Sequence, residues 1–130
     1  MSLKSNLPMD QTARTVLIVD DDPQILKLLE KMLRPQIFRI LVAPRPSQAL
    51  EICGREPVHL LISDIAMPEM DGTKLMAKVL QLQPEASVLL ISGHYREEPR
   101  AARNGRVKFL KKPFFPSDLL TALRELMPDV

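Results

Sequence analysis

Five short apolar runs, rich in β-branched residues, alternate with amphipathic segments, and this alternation restricts the fold more than any other feature. Continuous apolar runs of this length are typical of strands buried on both faces of a sheet. They span residues 15–19, 37–43, 58–63, 87–92 and 107–110. The segments that follow them carry apolar residues at helical spacing. Strands joined through helices need right-handed crossovers and a parallel sheet, so we predict one α/β domain covered on both faces.

Three polar residues are predicted to begin helices. Asp22 stands directly before Pro23, a capping residue followed by proline at the first helical position. Asp71 stands before Gly72 in the same way, and Ser47 is predicted to cap the second helix. These residues place the helix starts just after the strands.

Composition and the chain ends narrow the classes of protein that fit. Residues 1–14 show no apolar periodicity, so we interpret them as a flexible leader, partly a cloning remnant, and residues 15–130 as the folded domain. No apolar run approaches the roughly 20 residues of a membrane span. Cys53 is the only cysteine, which excludes an internal disulfide and favours a reducing, cytoplasmic compartment. A net charge of +2 does not by itself favour nucleic acid or membrane.

Polar side chains gather where the predicted strands end. The residues at these positions are Asp20, Asp21 and Asp22 after the first strand, Asp64 after the third, Ser92 in the fourth, and Lys111 and Lys112 after the fifth. Ligands of open parallel sheets bind at this edge. Clustered carboxylates repel one another and favour Mg²⁺, which keeps waters and phosphate oxygens as its other ligands. With a lysine nearby, the edge suits phosphoryl transfer onto a carboxylate.

Four segments together resemble the signatures of bacterial response-regulator receiver domains, in the same order and at nearly the same spacing. They are LIVDDDP at 17–23, DIAMPEMDG at 64–72, ISG at 91–93 and FLKKPF at 109–114. The resemblance covers about residues 15–127. It implies a flavodoxin-like, doubly wound fold whose five parallel strands lie in the order 2-1-3-4-5. The segments 92–95 and 109–126 look most similar to receivers attached to the C-terminus of hybrid histidine kinases. Because no output domain follows Met127, we expect either a stand-alone receiver or a piece of a longer protein.

The resemblance implies a metal site and a phosphoacceptor. Asp64 would accept the phosphoryl group. Asp21 and Asp64 would bind Mg²⁺ together with the backbone carbonyl of Ala66, and Asp20 would act mainly through water.

The resemblance also implies roles for residues around the phosphoryl group. Ser92 would hydrogen-bond its oxygens and Lys112 would pair with them. Phe109 matches the aromatic switch that turns inward when Ser92 moves. Ala66 and His94 would flank the path of the attacking water and tune the rate of dephosphorylation.

The function implied is a signalling module rather than an enzyme, with intrinsic phosphotransfer and autodephosphorylation. Its phosphodonor would be a histidine kinase or a histidine phosphotransfer protein. We expect no direct contact with nucleic acid or membrane, and a weak homodimer is compatible with the pattern.

Other interpretations compete with this one. A phosphatase with an aspartate nucleophile needs a general acid, typically a second aspartate two residues on, where this sequence has Ala66. A nucleic-acid-binding module needs a recognition helix or an aromatic platform, and one tyrosine and four phenylalanines are few. Phe109 can also be an ordinary core residue rather than a switch. His59 can be a core histidine rather than a phosphohistidine, and the basic segment 96–112 can be a solvated face rather than a docking patch for an acidic or nucleic-acid partner.

The sequence departs from the family pattern in two places. Pro99 interrupts the short fourth helix predicted at 96–104. Phe115 stands where many members have a capping threonine, a loss of about 1 kcal/mol that Asp118 in the first turn is expected to offset in part.

Overall fold

The computed structural model describes residues 13–36, 38–93 and 105–128. The predicted leader up to residue 12, the helix at 96–104 and His94 lie outside these ranges. The described elements are β1 (Arg14–Val19), α1 (Pro23–Leu33), β2 (Phe38–Ala43), α2 (Pro46–Cys53), β3 (Leu60–Asp64), α3 (Gly72–Leu82), β4 (Ser87–Ser92), β5 (Val107–Lys111) and α4 (Pro116–Leu126). Among the described residues, no helix combines the length and the apolar character needed to cross a membrane.

The five strands form one parallel sheet in the order β2-β1-β3-β4-β5. The predicted doubly wound fold and strand order are confirmed. The chain runs outward from β1 to β2 and then returns to the other side of β1 to form β3. The strand order therefore reverses between β1 and β3, and this is where an open α/β sheet opens a crevice at its carboxyl edge.

Alternate strand residues point to opposite faces, so the sheet has a core on each side. On one side Leu17, Leu61 and Leu90 pack with residues of α2 and α3. On the other side Ile18 and Ile62 pack with residues of α1 and α4. Both faces of the three central strands are therefore closed to solvent, which leaves the ends of these strands as their accessible part.

Two of the three predicted helix caps are confirmed. The Asp22 carboxylate accepts a hydrogen bond from the Gln24 amide at 2.9 Å. The Asp71 carboxylate accepts from the Thr73 amide at 2.7 Å and from the Thr73 hydroxyl at 2.6 Å. Both caps fix the start of a helix immediately beside the carboxyl edge of the sheet.

The prediction that Ser47 caps the second helix was wrong. α2 begins at Pro46, two residues before the start that a Ser47 cap implies, because proline fits the first helical position, where no amide hydrogen is needed. The side chain of the capping residue Arg45 makes no capping hydrogen bond. Instead the Glu69 carboxylate accepts from the Ser47 amide at 2.8 Å, from 22 residues away along the chain.

At the start of α4, Asp118 supports the helix through a hydrogen bond, whereas the sequence predicted a favourable interaction with the helix dipole. The Phe115 side chain offers no acceptor, but the Phe115 amide donates to the Asp118 carboxylate at 2.8 Å. This is the half of a capping box that does not require a polar N-cap side chain.

Candidate functional site

Three carboxylates meet where β1 and β3 end. Val19 and Ser63 are partners in the β1–β3 ladder, so the residues that follow them, Asp20 and Asp64, lie side by side at the carboxyl edge of the sheet. Asp21 lies on the turn before α1. One oxygen from each of Asp20, Asp21 and Asp64 lies within 4.8 Å of the others. The structure thus brings together the three aspartates that the sequence placed at one edge.

The three carboxylates have different surroundings. Asp20 is only 3% exposed, and one of its oxygens accepts from the Asp22 amide at 2.9 Å. Burial raises the pKa of Asp20 to about 6, against the lowering effect of that hydrogen bond, and the negative charge of Asp64 raises it further. Asp21 is exposed. A nearby cation would therefore stabilise the ionised form of Asp20.

Asp64 lies between the acidic and the basic parts of the site. Its side chain is 11% exposed and its Oδ1 lies 3.7 Å from Nζ of Lys112. Burial raises the pKa of Asp64, and the Lys112 ammonium opposes that rise. Lysine thus favours the ionised form, which is the form that can act as a nucleophile.

Lys112 reaches Asp64 because of the β4–β5 ladder. The Lys112 amide donates to the Ser92 carbonyl at 2.9 Å, which continues the ladder one residue beyond β5. Ser92 itself is 1% exposed at the end of β4, and Asp64 is the ladder partner of the preceding residue, Ile91. The Ser92 hydroxyl and the Lys112 ammonium were both predicted to contact a phosphoryl group. Both residues lie at the same edge of the sheet as Asp64.

Phe109 lies on β5 opposite Leu90, on the same face of the sheet as Ser92 two residues further along β4. It is partly buried and packs against the core formed by α2 and α3. This position suits the switch predicted for Phe109, and it equally suits ordinary packing.

The loop after Asp64 is held closely against the sheet. The Ile65 amide donates to the Ile91 carbonyl at 2.9 Å, and the Gly72 amide donates to the Ile65 carbonyl at 2.8 Å. A Cβ on Gly72 would lie 2.3 Å from the Asp64 carbonyl oxygen and 2.8 Å from Cα of Ile65. Only glycine fits this approach. Sequence reasoning saw Gly72 only as the residue after a cap and missed this contact with the Asp64 backbone.

The side chains of His59 and Cys53 lie away from the carboxyl edge of the sheet. His59 precedes β3 at the opposite end of the sheet, where its Nδ1 accepts from the Thr15 amide at 2.9 Å. Cys53 is buried, and burial raises the pKa of its thiol to about 11, which keeps it protonated at neutral pH. Cys53 matches its predicted structural role. His59 has a hydrogen-bond partner, but it is half-buried and precedes β3, so the prediction of a core histidine inside the strand was wrong.

Comparison with known proteins identifies the class to which this fold and edge belong. The sequence model of the response regulator receiver domain matches residues 16–124, and the chain belongs to this family of two-component signalling modules.

Comparisons with individual proteins support this family assignment. The chain is 39% identical to the uncharacterized 14.6 kDa protein in the sodA1 3′ region of Leptolyngbya boryana, with 85% of this chain and 87% of that protein covered. It is 34% identical to the transcriptional regulatory protein GlrR of Escherichia coli over 86% of this chain but only 26% of that protein. The chain thus spans about a quarter of GlrR. The solved CheY-like response regulator receiver domain protein of Methanospirillum hungatei superimposes with a TM-score of 0.82 at 28% identity, covering 91% of this chain and 96% of that one.

Proposed function

We propose that this receiver domain accepts a phosphoryl group on Asp64 from the phosphohistidine of a histidine kinase or histidine phosphotransfer protein. The observation that carries the proposal is the arrangement around Asp64. Its Oδ1 lies 3.7 Å from Lys112 Nζ, and one of its oxygens lies within 4.8 Å of oxygens of Asp20 and Asp21. A nucleophile close to both a cation and an acidic pocket suits transfer of a group that is itself strongly anionic.

The donor set fits Mg²⁺. Asp21, Asp64 and the backbone carbonyl of Ala66 would hold the ion, and Asp20 would contact it through water. These are hard oxygen donors, few enough to leave positions for water and phosphate oxygens. When bound, the ion would neutralise charge on the acidic cluster and on the phosphoryl oxygens.

Transfer itself requires only the Asp64 carboxylate as a reacting group of this chain. One of its oxygens forms the new P–O bond while the P–N bond of the donor breaks, and the electron pair of that bond stays on the donor imidazole. Lys112 pairs with the phosphoryl oxygens and holds Asp64 ionised. Ser92 donates its hydroxyl hydrogen to a phosphoryl oxygen.

We further propose that the Ser92 movement transmits the signal to β5. Leu90 and Ser92 lie on the face of the sheet that Phe109 occupies, so a displaced Ser92 changes the space available to this ring. A coupling free energy on the order of 1–3 kcal/mol is typical of such switches.

The lifetime of the phosphorylated state is proposed to depend on the residues two beyond Asp64 and two beyond Ser92. Ala66 is exposed and carries no group that can position water. His94, the second of these, lies outside the described residues. Autodephosphorylation is therefore expected to be slow to moderate, and polar substitution of Ala66 should change its rate several-fold.

The test is incubation with acetyl phosphate and Mg²⁺, followed by intact mass measurement and peptide mapping. One phosphoryl group is expected on the wild type and none on Asp64→Asn. Asp71→Asn is the matched control, because asparagine caps helices as well as aspartate does. Asp71 lies in the same loop and should label normally when changed. Stoichiometric labelling of Asp64→Asn would exclude Asp64 as the acceptor.

A further inference from the structure

A second polar cavity lies at the amino-terminal edge of the sheet, opposite the carboxylate cluster. It has a volume of about 220 Å³ and its polar lining is Arg14, His59, Glu85, Ser87 and Arg106. A water takes roughly 30 Å³ in the liquid, so the space can admit a ligand of several atoms. Strands of five or six residues rise about 3.3 Å per residue, which puts this cavity about 15–20 Å from Asp64.

The charge of the lining is mainly positive. Arg14 and Arg106 contribute two guanidinium groups, and Glu85, which is exposed, contributes the one carboxylate among the lining residues described. Arg106 donates to the Pro84 carbonyl at 2.7 Å. Arg14 forms no ion pair with any residue in the described part of the chain. One guanidinium fork therefore lines the cavity without an acidic partner of its own.

His59 adds a donor rather than an acceptor. Its Nδ1 accepts from the Thr15 amide at 2.9 Å, so the proton of the neutral ring is on Nε2. Burial lowers the pKa of His59, and the positive charge of Arg14 lowers it further. The ring is therefore neutral at pH 7. Besides Arg14, the charged residues that line the cavity are Glu85 and Arg106.

We propose that this cavity is an anion-binding site, separate from Asp64, that takes a small oxyanion such as phosphate or a dicarboxylate. The planar fork of an arginine matches paired carboxylate or phosphate oxygens. The Nε2 hydrogen of His59 supplies a third donor with fixed direction, because the Thr15 hydrogen bond fixes the other nitrogen. The negative charge of Glu85 opposes anion binding and therefore limits the affinity, so removing that charge should raise the affinity.

The proposal is tested by NMR titration with inorganic phosphate, in the Asp64→Asn variant without Mg²⁺ and at constant ionic strength. Saturable shifts are expected at residues 14, 59, 85–87 and 106, and the pKa of His59 should rise as the anion offsets Arg14. A parallel titration with succinate distinguishes a site for phosphate alone from one for oxyanions in general, and saturation with phosphate supports the proposal in either case.

Variants supply the decisive comparison. Arg14→Ala should weaken phosphate binding at least tenfold, Arg14→Lys should weaken it less, and Glu85→Gln should strengthen it. Arg55→Ala removes an exposed arginine outside the cavity and should have no effect. Shifts that sodium chloride reproduces, or that persist unchanged in both Arg14 variants, would overturn the site. Neither result bears on phosphorylation of Asp64, which is measured separately.

Discussion

Nζ of Lys112 lies 3.7 Å from Oδ1 of Asp64, which joins the end of β5 to the end of β3 across the intervening strand β4. The contact depends on the ladder that continues through the Lys112 amide to Ser92. It places the positive charge beside the Asp64 carboxylate rather than beside the more exposed Asp21.

Replacing Lys112 by methionine should slow phosphorylation of Asp64 by acetyl phosphate about 100-fold, the scale typical of losing one group that stabilises developing charge. The pKa of Asp64 should rise, because the ammonium that opposes the effect of burial is gone. The rate is followed by intact mass against time. Lys111→Met, the exposed neighbouring lysine, is the control and should leave the rate within twofold; equal slowing by both would point to general surface charge.

Mg²⁺ should raise the melting temperature of the wild type, because a ligand that binds only the folded state stabilises it by mass action. Asp21→Ala should lose most of that increase, since one of the clustered carboxylates is removed. Asp22→Asn keeps the helix cap and should retain the increase. The measurement is differential scanning calorimetry with and without Mg²⁺. An identical increase in wild type and Asp21→Ala would place the ion elsewhere.

Asp20→Asn should stabilise the metal-free protein at pH 7. Burial destabilises the ionised form of Asp20. The rise in its pKa from 3.8 to about 6 corresponds to a loss of at most about 3 kcal/mol in the free energy of unfolding. Asparagine keeps an oxygen for the Asp22 amide while removing the charge. Urea unfolding with EDTA present should show a gain of about 1–3 kcal/mol, and Mg²⁺ should reduce the difference. A variant less stable than wild type under both conditions would contradict this.

Gly72→Ala should destabilise the domain by about 1–3 kcal/mol or more, because the new Cβ would overlap the Asp64 carbonyl oxygen at 2.3 Å. Gly54→Ala is the matched control. Its nearest neighbour would be 3.5 Å away and its backbone is in the right-handed helical region, so stability should be unchanged or slightly increased. Urea unfolding measures both variants, and acetyl phosphate labelling of Gly72→Ala should also slow as Asp64 shifts. Equal stability of the two variants would show that the loop relaxes freely.

Acid should destabilise the protein through His59. Its pKa is lowered in the folded state, so the unfolded chain binds the proton more readily. The stabilisation is complete above the unfolded pKa of about 6.5 and is lost as the pH falls below it. His59→Gln, which can still accept from the Thr15 amide, should show a smaller loss of unfolding free energy between pH 7 and pH 5. Parallel pH profiles for the two proteins would assign the loss to other groups.

The alternation of apolar runs and amphipathic segments was enough to predict the parallel sheet, because strand and helix periodicities are local properties of the sequence. The same pattern placed Asp20, Asp64 and Lys112 at strand ends, and parallel strands end at a common edge. The caps Asp22 and Asp71 were predictable for the same reason, since a cap bonds to an amide two residues away.

Contacts between distant segments could not be predicted in this way. Glu69 caps α2 from another loop, and the sequence around Ser47 contains no sign of it. Gln83, at the end of α3, donates to the carbonyls of Cys53 and Glu56 at 2.9 and 2.8 Å and accepts from the Val58 amide at 3.3 Å. These bonds hold the segment between α2 and β3, yet nothing near Gln83 in sequence indicates its partners.

The sequence by itself determined a parallel α/β sheet and the polar residues at the ends of its strands, because short-range periodicity and strand direction are sufficient for both, and the resemblance to receiver domains implied the doubly wound strand order. The tertiary structure alone decided that Asp20 is buried while Asp21 is exposed, that Lys112 faces Asp64, and that Gly72 contacts the Asp64 backbone. Those outcomes depend on how closely segments distant in sequence approach one another. Burial and charge separation, which shift the pKa values of Asp20 and Asp64, exist only once the chain has packed.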